Sequence, residues 1–136
     1  MQMSYLIDTD IIIYSLKEDP IVRQNFLDRK NSIKSVSVIT YGELIFGAQK
    51  STYKERNLAT VRRIAELFPV IELTEGIMET YGELKAIQQK KGNTLEDFDL
   101  LIGSTALYLN YTLVTNNEKH FQEIPGLRIE NWANVA

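Results

Sequence analysis

This chain of 136 residues contains no cysteine and a single histidine, His120. The absence of cysteine excludes disulfide bonds and thiolate metal ligands, and it fits a reducing compartment. One histidine excludes a histidine-rich zinc site and argues against a Ser-His-Asp triad. Any metal bound by this chain must therefore be held mainly by oxygen ligands, which favour magnesium or manganese over zinc.

Long hydrophobic runs and a basic surplus are also missing. No run of about 18 apolar residues occurs, so we expect no transmembrane helix. The first residues lack the pattern of a secretory signal, so we expect a cytoplasmic protein. The net charge of −3 argues against a general nucleic-acid binder. One basic cluster is the exception, and a solvated helix face is the alternative explanation for its residues, Lys50, Lys54, Arg56, Arg62 and Arg63.

Short apolar runs alternate with segments of helical spacing. The pattern predicts strands at 4–7, 35–38, 70–73, 112–115 and 127–130. It predicts helices at 11–16, 20–29, 40–50, 54–67, 74–91 and 95–109. In the fifth helix Ile77, Tyr81, Leu84 and Ile87 should point inward, and Gly92 should end it. This order predicts an α/β fold, a parallel sheet with helices on both faces, in one domain spanning residues 1–136.

Carboxylates and amides stand at the edges of apolar elements in four distant places. They are Asp8, Asp10, Glu43, Asp97, Asp99, Asn116 and Asn117. Ligands of such sheets bind beyond the carboxyl ends of the strands, so these side chains can share one crevice. A buried carboxylate is costly unless it is paired or binds a metal. The sequence therefore predicts a site for a divalent cation.

Each residue also has a simpler interpretation. Asp8 or Asp10 can cap the helix that follows, and Glu43 can face the surface. Asp97 fits a capping box with Thr94. For Asp99 we favour a functional role, because a nearly apolar helix follows it and Gly103, one turn on, should leave space beside the carboxylate.

The remaining polar and aromatic candidates are ordinary by default. Asn116 and Asn117 are typical turn residues, His120 is more often a hydrogen-bonding residue than a ligand, and Trp132 is expected to anchor the tail in the core.

Converging acids would support one kind of chemistry. Carboxylates from three elements can bind one or two divalent cations, which lower the pKa of bound water and stabilise charge on a phosphate. No activated Ser, Cys or His nucleophile is visible, so water is the natural attacker. Phosphodiester hydrolysis is the reaction that these residues favour.

In order along the chain, these motifs resemble the PIN-domain ribonucleases, and more narrowly the VapC toxins of type II toxin–antitoxin pairs. The resemblance covers essentially the whole chain. Its motifs are Leu-Ile-Asp-Thr-Asp ending at Asp10, Thr-Tyr-Gly-Glu ending at Glu43, Asp-Phe-Asp ending at Asp99, and Val-Thr-Asn-Asn ending at Asn117. It implies an α/β/α sandwich and an endoribonuclease that depends on Mg²⁺ or Mn²⁺.

The resemblance also implies roles for residues. Asp8, Glu43 and Asp99 fall on the family's metal-binding acids, and Asp97 on an acidic neighbour that some members have. Asn117 replaces the fourth acid of many PIN domains, which favours one firmly held metal over two. Gly103-Ser104 replaces the usual alanine pair, a change expected to affect packing.

Partners and substrate are implied as well. The resemblance implies a homodimer and a VapB-type antitoxin whose C-terminal segment covers the acidic site. Some relatives cut transfer RNA in the anticodon loop. Since the chain is weakly acidic, Lys50, Lys54 and Arg56 are expected to help select the RNA.

Two other functions fit parts of the sequence. A haloacid-dehalogenase-like phosphatase would use Asp8 as nucleophile and Asp10 as acid/base, although Ile12 stands where that motif has Thr or Val. A non-catalytic module would use the acids only to bind RNA-associated metal or an antitoxin.

Overall fold

The computed structural model describes residues 3–92 and 95–134. Its strands are β1 (Ser4–Ile7), β2 (Ile33–Ser37), β3 (Val70–Ile71), β4 (Thr112–Val114) and β5 (Ile129–Glu130). Its helices are α1 (Thr9–Leu16), α2 (Pro20–Asp28), α3 (Val38–Gln49), α4 (Lys54–Leu67), α5 (Glu75–Lys91), α6 (Asp97–Leu109) and α7 (Glu118–Phe121). The predicted alternation of strands and helices is confirmed.

The strands form one parallel sheet in the order β3-β2-β1-β4-β5. Strands β2 and β3 lie on one side of β1, and β4 and β5, which come later in the chain, lie on its other side. The strand order therefore reverses between β1 and β4. A crevice opens at such a reversal, beyond the carboxyl ends of the two strands.

Side chains alternate between the two faces of the sheet, as the two-residue period of a strand requires. Tyr5 and Ile7 of β1 pack in one apolar cluster, with helices α1 to α4. Leu6 packs in the other cluster, which contains Leu113 and residues of α5 and α6. Helices thus cover both faces, and the predicted α/β/α sandwich is confirmed.

Trp132 anchors the C-terminal region, as predicted. Its side chain is buried, and its ring packs edge-on against Tyr5 and Phe26, with centroids 5.1 Å and 5.0 Å away. The indole N–H donates to Glu130 Oε1 at 2.9 Å. This packing fixes the segment after β5 beside the sheet.

The inward stripe predicted for α5 is wrong at Ile87. That side chain is 40% exposed, whereas the neighbouring Gln88 is 4% exposed and accepts a hydrogen bond from Leu95 N. Ile77 and Leu84 are buried as predicted. Gly92 ends the helix with φ 74°, a conformation that glycine adopts without strain.

One element was not predicted, and one prediction falls partly outside the described residues. The short helix α7, after β4, was not predicted, because four residues carry too little periodicity to reveal it. The capping box of Thr94 and Asp97 falls partly outside the described residues, since Thr94 is not among them.

Within residues 3–92 and 95–134, no helix has the length and apolar character needed to cross a membrane.

Candidate active site

Asp8 lies at the carboxyl end of β1, in the crevice where the strand order reverses. Its side chain is only 6% exposed. Oδ1 accepts a hydrogen bond from Thr9 N and Oδ2 one from Thr115 Oγ1, both at 2.8 Å. Asp8 is also the N-cap residue of α1, so the capping and functional interpretations apply to the same side chain.

Burial raises the pKa of Asp8 to about 7 from an ordinary value of 3.8. The neighbouring carboxylates of Asp10 and Asp99 raise it further, and the bonds from Thr115 and Thr9 act in the opposite direction. The site therefore disfavours the charged form of this acid. A cation placed among these carboxylates would reverse that balance.

Asp10 lies in the first turn of α1 and faces the same crevice. Oδ2 accepts a hydrogen bond from Asn116 N at 3.1 Å, while Oδ1 is buried with no hydrogen-bond partner. Burial is the main cause of its raised pKa, and Asp99 contributes. A buried carboxylate oxygen without a partner is costly, which fits a site that takes a positive ligand.

Glu43 reaches the crevice from α3. Its Oε1 accepts a 2.7 Å hydrogen bond from Thr9 Oγ1, and that hydroxyl shares a second hydrogen bond with Thr40. Because Thr9 directly follows Asp8, this bond places Glu43 beside the end of β1. The residue is half-buried, which argues against the alternative that Glu43 faces the surface.

Asp99 enters from the first turn of α6 and is half-buried. Burial raises its pKa, and the neighbouring His120 opposes this effect. His120 Nδ1 lies 3.8 Å from Asp99 Oδ2 and 2.8 Å from Asn117 Nδ2. The end of β4 thus places Asn117 and His120 at the rim of the crevice.

Gly103 does not leave space beside Asp99, contrary to the sequence prediction. A Cβ at this position would collide with Ile124 and contact Phe121. The glycine instead allows α6 to pack closely against the segment that follows α7. Ser104 is buried and donates to Leu100 O within the helix, which agrees with a packing role for this pair.

Asp97 contacts α5 instead of the other acids. Its Oδ1 accepts hydrogen bonds from Tyr81 Oη at 2.7 Å and Lys85 Nζ at 2.8 Å. These bonds, from Lys85 first, lower its pKa. Asp97 is therefore a link between α5 and α6, not one of the clustered carboxylates.

The basic residues proposed to bind RNA are exposed. Lys50 lies over the ring of Phe46, with Nζ 4.9 Å from the ring centre, and lines a groove that also contains Glu43. Arg56 lies over Tyr53 at 4.5 Å. Lys54 begins α4. Of these three basic residues, Lys50 is the one that borders the acidic crevice directly.

Two apolar grooves meet at Glu43. One, of about 670 Å³, runs between α3 and the start of α6 and is lined by Phe46, Phe98 and Lys50. The other, of about 360 Å³, lies between α1, α3 and α4 and includes Leu16. Both include Ile13 and Gly47, so together they form a continuous surface that passes Glu43.

The site contains residues that the sequence did not single out. Thr9 and Thr115 hold Glu43 and Asp8, and His120 was expected to be structural. The available signal was that Thr9 adjoins Asp8 and Asp10, and that Thr115 adjoins Asn116. The hydrogen bonds themselves join residues 34 and 107 positions apart, which no local pattern reveals.

The donor set suits a hard cation, because the clustered donors are carboxylate oxygens. In the described part of the chain, no three His, Asp or Glu side chains are arranged as a ready-made metal cluster. The acids are nevertheless close enough for Asp99 to raise the pKa of both Asp8 and Asp10. The buried, partnerless Oδ1 of Asp10 is the strongest structural indication of an ionic ligand.

Comparison with known proteins gives the family. Residues 5–127 match the model of the PIN domain. The chain is 37% identical over 132 residues to ribonuclease VapC2 of Rickettsia felis, covering 96% of this chain and 98% of that protein. It is 35% identical over 132 residues to the tRNA(fMet)-specific endonuclease VapC of Salmonella typhimurium, with the same coverage of 96% and 98%.

Solved structures agree with this result. The VapBC2 complex of Rickettsia felis bound to a promoter DNA fragment contains a chain with TM-score 0.88 and 36% identity, covering 96% of this chain and 99% of that one. VapBC-1 of nontypeable Haemophilus influenzae gives TM-score 0.89 and 34% identity, with coverage of 97% and 100%. This chain belongs to the PIN-domain family, among the VapC ribonucleases that form the toxin component of type II toxin–antitoxin pairs.

Proposed function

We propose that the chain is an endoribonuclease that uses Mg²⁺ or Mn²⁺ held by Asp8, Glu43 and Asp99. The observation that carries this proposal is the buried Asp8 carboxylate, whose pKa rises to about 7 beside two other acids. A cation nearby would favour the charged form of this group and lower its pKa. The sequence identity of 35–37% between this chain and two VapC nucleases supports RNA as the substrate.

A bound divalent cation would lower the pKa of water and stabilise negative charge on the phosphate. The chain's own residues supply the positioning. Thr115 orients Asp8, Thr9 orients Glu43, and the first turn of α6 carries Asp99. Asn117, a neutral amide at the rim, is available to orient water or a phosphate oxygen.

The products of cleavage test this mechanism. Attack by water leaves a phosphate on one product and intact hydroxyls on the other, whereas attack by the RNA's own 2′-hydroxyl gives a cyclic phosphate. We expect purified protein to cleave RNA with Mg²⁺ or Mn²⁺, to stop with EDTA, and to form no cyclic phosphate. Cleavage that persists in EDTA and produces cyclic ends would contradict the proposal.

The substrate proposed here is structured RNA, with the transfer RNA anticodon loop as the first candidate. The support is the 35% identical Salmonella typhimurium protein, which is named a tRNA(fMet)-specific endonuclease. Mapping cleaved ends across cellular RNA after brief expression should reveal a few sites in anticodon loops. Scattered cuts in unstructured messenger RNA would contradict this choice of substrate.

We also propose a VapB-type antitoxin as the partner and a homodimer as the state of the toxin. The two grooves that meet at Glu43 suit a peptide with apolar anchors, because they present Ile13, Leu16, Phe46 and Phe98 beside an acid. A basic side chain of such a peptide would neutralise the carboxylates and exclude RNA. Glu43→Gln should weaken antitoxin binding, and sedimentation of the purified toxin should show a dimer.

The structure gives the phosphatase alternative little support. Both oxygens of Asp8 accept hydrogen bonds from the fold, and the side chain is buried, whereas a nucleophile must reach phosphorus. The non-catalytic alternative predicts that Asp8→Asn leaves toxicity intact. Our proposal predicts that this variant folds and is harmless to cells.

A further inference from the structure

A polar cavity of about 320 Å³ lies beside the crevice, beyond the carboxyl ends of β4 and β5. We call it the amide pocket, and its lining residues are Asn116, Asn117, Glu118, Lys119, Asn131 and Asn134. It adjoins the clustered carboxylates, because Asn116 N donates a 3.1 Å hydrogen bond to Asp10 Oδ2. Ligand pockets have volumes of about 300–1,000 Å³, so this one suits a small polar group such as a single nucleobase.

Asn131 is held in one orientation in the wall of the amide pocket. Its Oδ1 accepts a 2.9 Å hydrogen bond from Ala133 N, and its Nδ2 donates to Glu118 Oε2 at 3.2 Å. A backbone N–H only donates and a carboxylate only accepts, so these two partners identify the oxygen and the nitrogen of the amide. The second hydrogen of Nδ2 goes to Asn116 Oδ1 at 3.0 Å. Asn131 therefore has no hydrogen left for a ligand.

The oxygens of this network still have free acceptor capacity. Asn116 Oδ1 and Asn131 Oδ1 each accept one hydrogen bond, although an amide oxygen has two lone pairs. Among the residues that the structure describes, none donates to Glu118 Oε1. Asn116 Nδ2 donates to Tyr14 Oη at 3.2 Å, which leaves it one hydrogen. The network thus offers a ligand mainly acceptors.

Two exposed side chains complete the amide pocket. Within residues 3–92 and 95–134, neither Lys119 nor Asn134 makes a hydrogen bond or an ion pair. The ammonium of Lys119 suits a phosphate, and the amide of Asn134 can both donate and accept. Phosphate contacts position a nucleic acid, whereas contacts with base edges select its sequence. The pocket holds side chains suited to both tasks.

We propose that the amide pocket binds one unpaired base of the RNA beside the cleaved bond and prefers a base with an amino group over uracil. This inference rests on the proposed endoribonuclease function. Unpaired bases in loops expose the edges that proteins read. Adenine, cytosine and guanine carry an amino group that donates to the free oxygens. Uracil has no amino group, and its carbonyl oxygens would face these acceptors without a hydrogen between them.

Cytosine and uracil give the sharpest comparison, because they have the same size and differ only in the groups on one edge. Stem-loop RNAs that contain the mapped cleavage site are prepared with a single loop position changed between these two bases. Cleavage by the full-length protein is measured with Mg²⁺ or Mn²⁺. We expect one loop position next to the cut at which uracil lowers kcat/KM about tenfold or more, as loss of a well-paired base contact does.

Glu118→Gln tests whether the amide pocket is the source of this preference. The substitution keeps the shape of the side chain, and its oxygen can still accept from Asn131 while its nitrogen donates to a base. The preference for cytosine over uracil should fall below about threefold, with faster cleavage of the uracil RNA. Glu79→Gln, an exposed residue of α5, makes the same charge change elsewhere and should keep the wild-type preference. Loss of a purely structural contact would slow cleavage of both RNAs equally.

Two further variants support the test if Glu118→Gln does not fold, which circular dichroism detects. Asn134→Ala alters an exposed side chain and should raise KM for the cytosine RNA about threefold or more while leaving kcat unchanged. Lys119→Gln should raise KM equally for all the RNAs, because phosphate contacts carry no sequence information. Wild-type KM values in both variants would overturn the inference.

The outcomes separate this inference from the proposed function. Equal cleavage of cytosine and uracil RNAs at every loop position overturns the role of the amide pocket and leaves metal-dependent cleavage intact. A folded Glu118→Gln variant with the wild-type preference also overturns it. A wild-type protein that cleaves no RNA with either metal overturns the proposed function and the inference together.

Discussion

Thr115 Oγ1 donates a 2.8 Å hydrogen bond to Asp8 Oδ2, joining residues 107 positions apart. The same hydroxyl accepts a 2.9 Å bond from Asn117 N. One buried threonine therefore links the carboxylate at the end of β1 to the residue that precedes α7. The bond connects the two strands between which the strand order reverses.

Thr115→Val should weaken the site while preserving the shape of the side chain. It leaves Asp8 Oδ2 and Asn117 N without their partner, and an unsatisfied buried group costs about 1–3 kcal/mol. We expect the free energy of unfolding to fall by about that amount, and kcat to fall because Asp8 is no longer held. Denaturant unfolding and cleavage assays measure both. Thr115→Ser, which keeps the hydroxyl, should restore most of the activity, and a Thr115→Val variant as active as the wild type would contradict the role.

The metal-free protein should lose stability as the pH rises. The pKa of Asp8 is about 7 in the folded chain and 3.8 when unperturbed. Below about pH 4 both states hold the proton, so Asp8 costs nothing. Between about pH 4 and 7 Asp8 loses its proton in the unfolded chain but keeps it in the folded one, and this difference favours unfolding. The resulting loss of stability reaches about 4 kcal/mol above pH 7.

Asp8→Asn should reduce this pH dependence, leaving the part that comes from the raised pKa values of Asp10 and Asp99, and should raise the stability of the metal-free protein at pH 8. Unfolding by urea in EDTA at several pH values measures it. Asp97→Asn is the matched control, since Lys85 and Tyr81 lower the pKa of Asp97, and it should not stabilise the protein. If the Asp8→Asn variant is less stable than the wild type at pH 8, burial of the charged Asp8 carboxylate does not destabilise the fold.

Thr9→Val should impair Glu43 without removing it. The substitution deletes the 2.7 Å bond from Thr9 Oγ1 to Glu43 Oε1, so the carboxylate loses its orientation. Loss of a group that orients a ligand typically reduces metal affinity or activity by about 10–100-fold. Titration with Mn²⁺ and cleavage assays measure this, and Thr9→Ser should behave like the wild type. Equal metal affinity in the wild type and the Thr9→Val variant would argue against Glu43 as a ligand.

Charge reversal at Lys50, Lys54 and Arg56 should affect RNA binding alone. Cations near a nucleic-acid site contribute to affinity through phosphate contacts, so KM should rise about threefold to tenfold per substitution, most at Lys50 beside the crevice. Metal affinity should not change. Lys90→Glu, on the last turn of α5, makes the same charge change elsewhere. If it raises KM as much, net charge explains the effect and the three residues have no special role.

The sequence was sufficient to locate the acids, because strand ends in a parallel sheet meet at one edge. Asp8, Glu43 and Asp99 lie in or beside apolar elements whose order could be predicted from periodicity. Their positioning partners could not be predicted, because hydrogen bonds such as Thr115 to Asp8 depend on how distant strands align.

Two individual residues show the same limit. Asp97 was predicted to form a capping box with Thr94, which lies outside the described residues, and the partners that the structure shows, Tyr81 and Lys85, come from the packing of α5 on α6. Gly103 was predicted to make room for Asp99, but it makes room for Ile124. In both cases the local pattern correctly marked a constrained position, and tertiary packing determined what constrained it.

The central claim is that the carboxylates at this crevice bind a divalent cation on which RNA cleavage depends. The most direct test is single-turnover cleavage by Asp8→Asn protein at saturating Mg²⁺ or Mn²⁺, with circular dichroism as the check on folding. The account predicts a folded protein whose cleavage rate falls by at least about a hundredfold. Cleavage by the folded variant at the wild-type rate would contradict it.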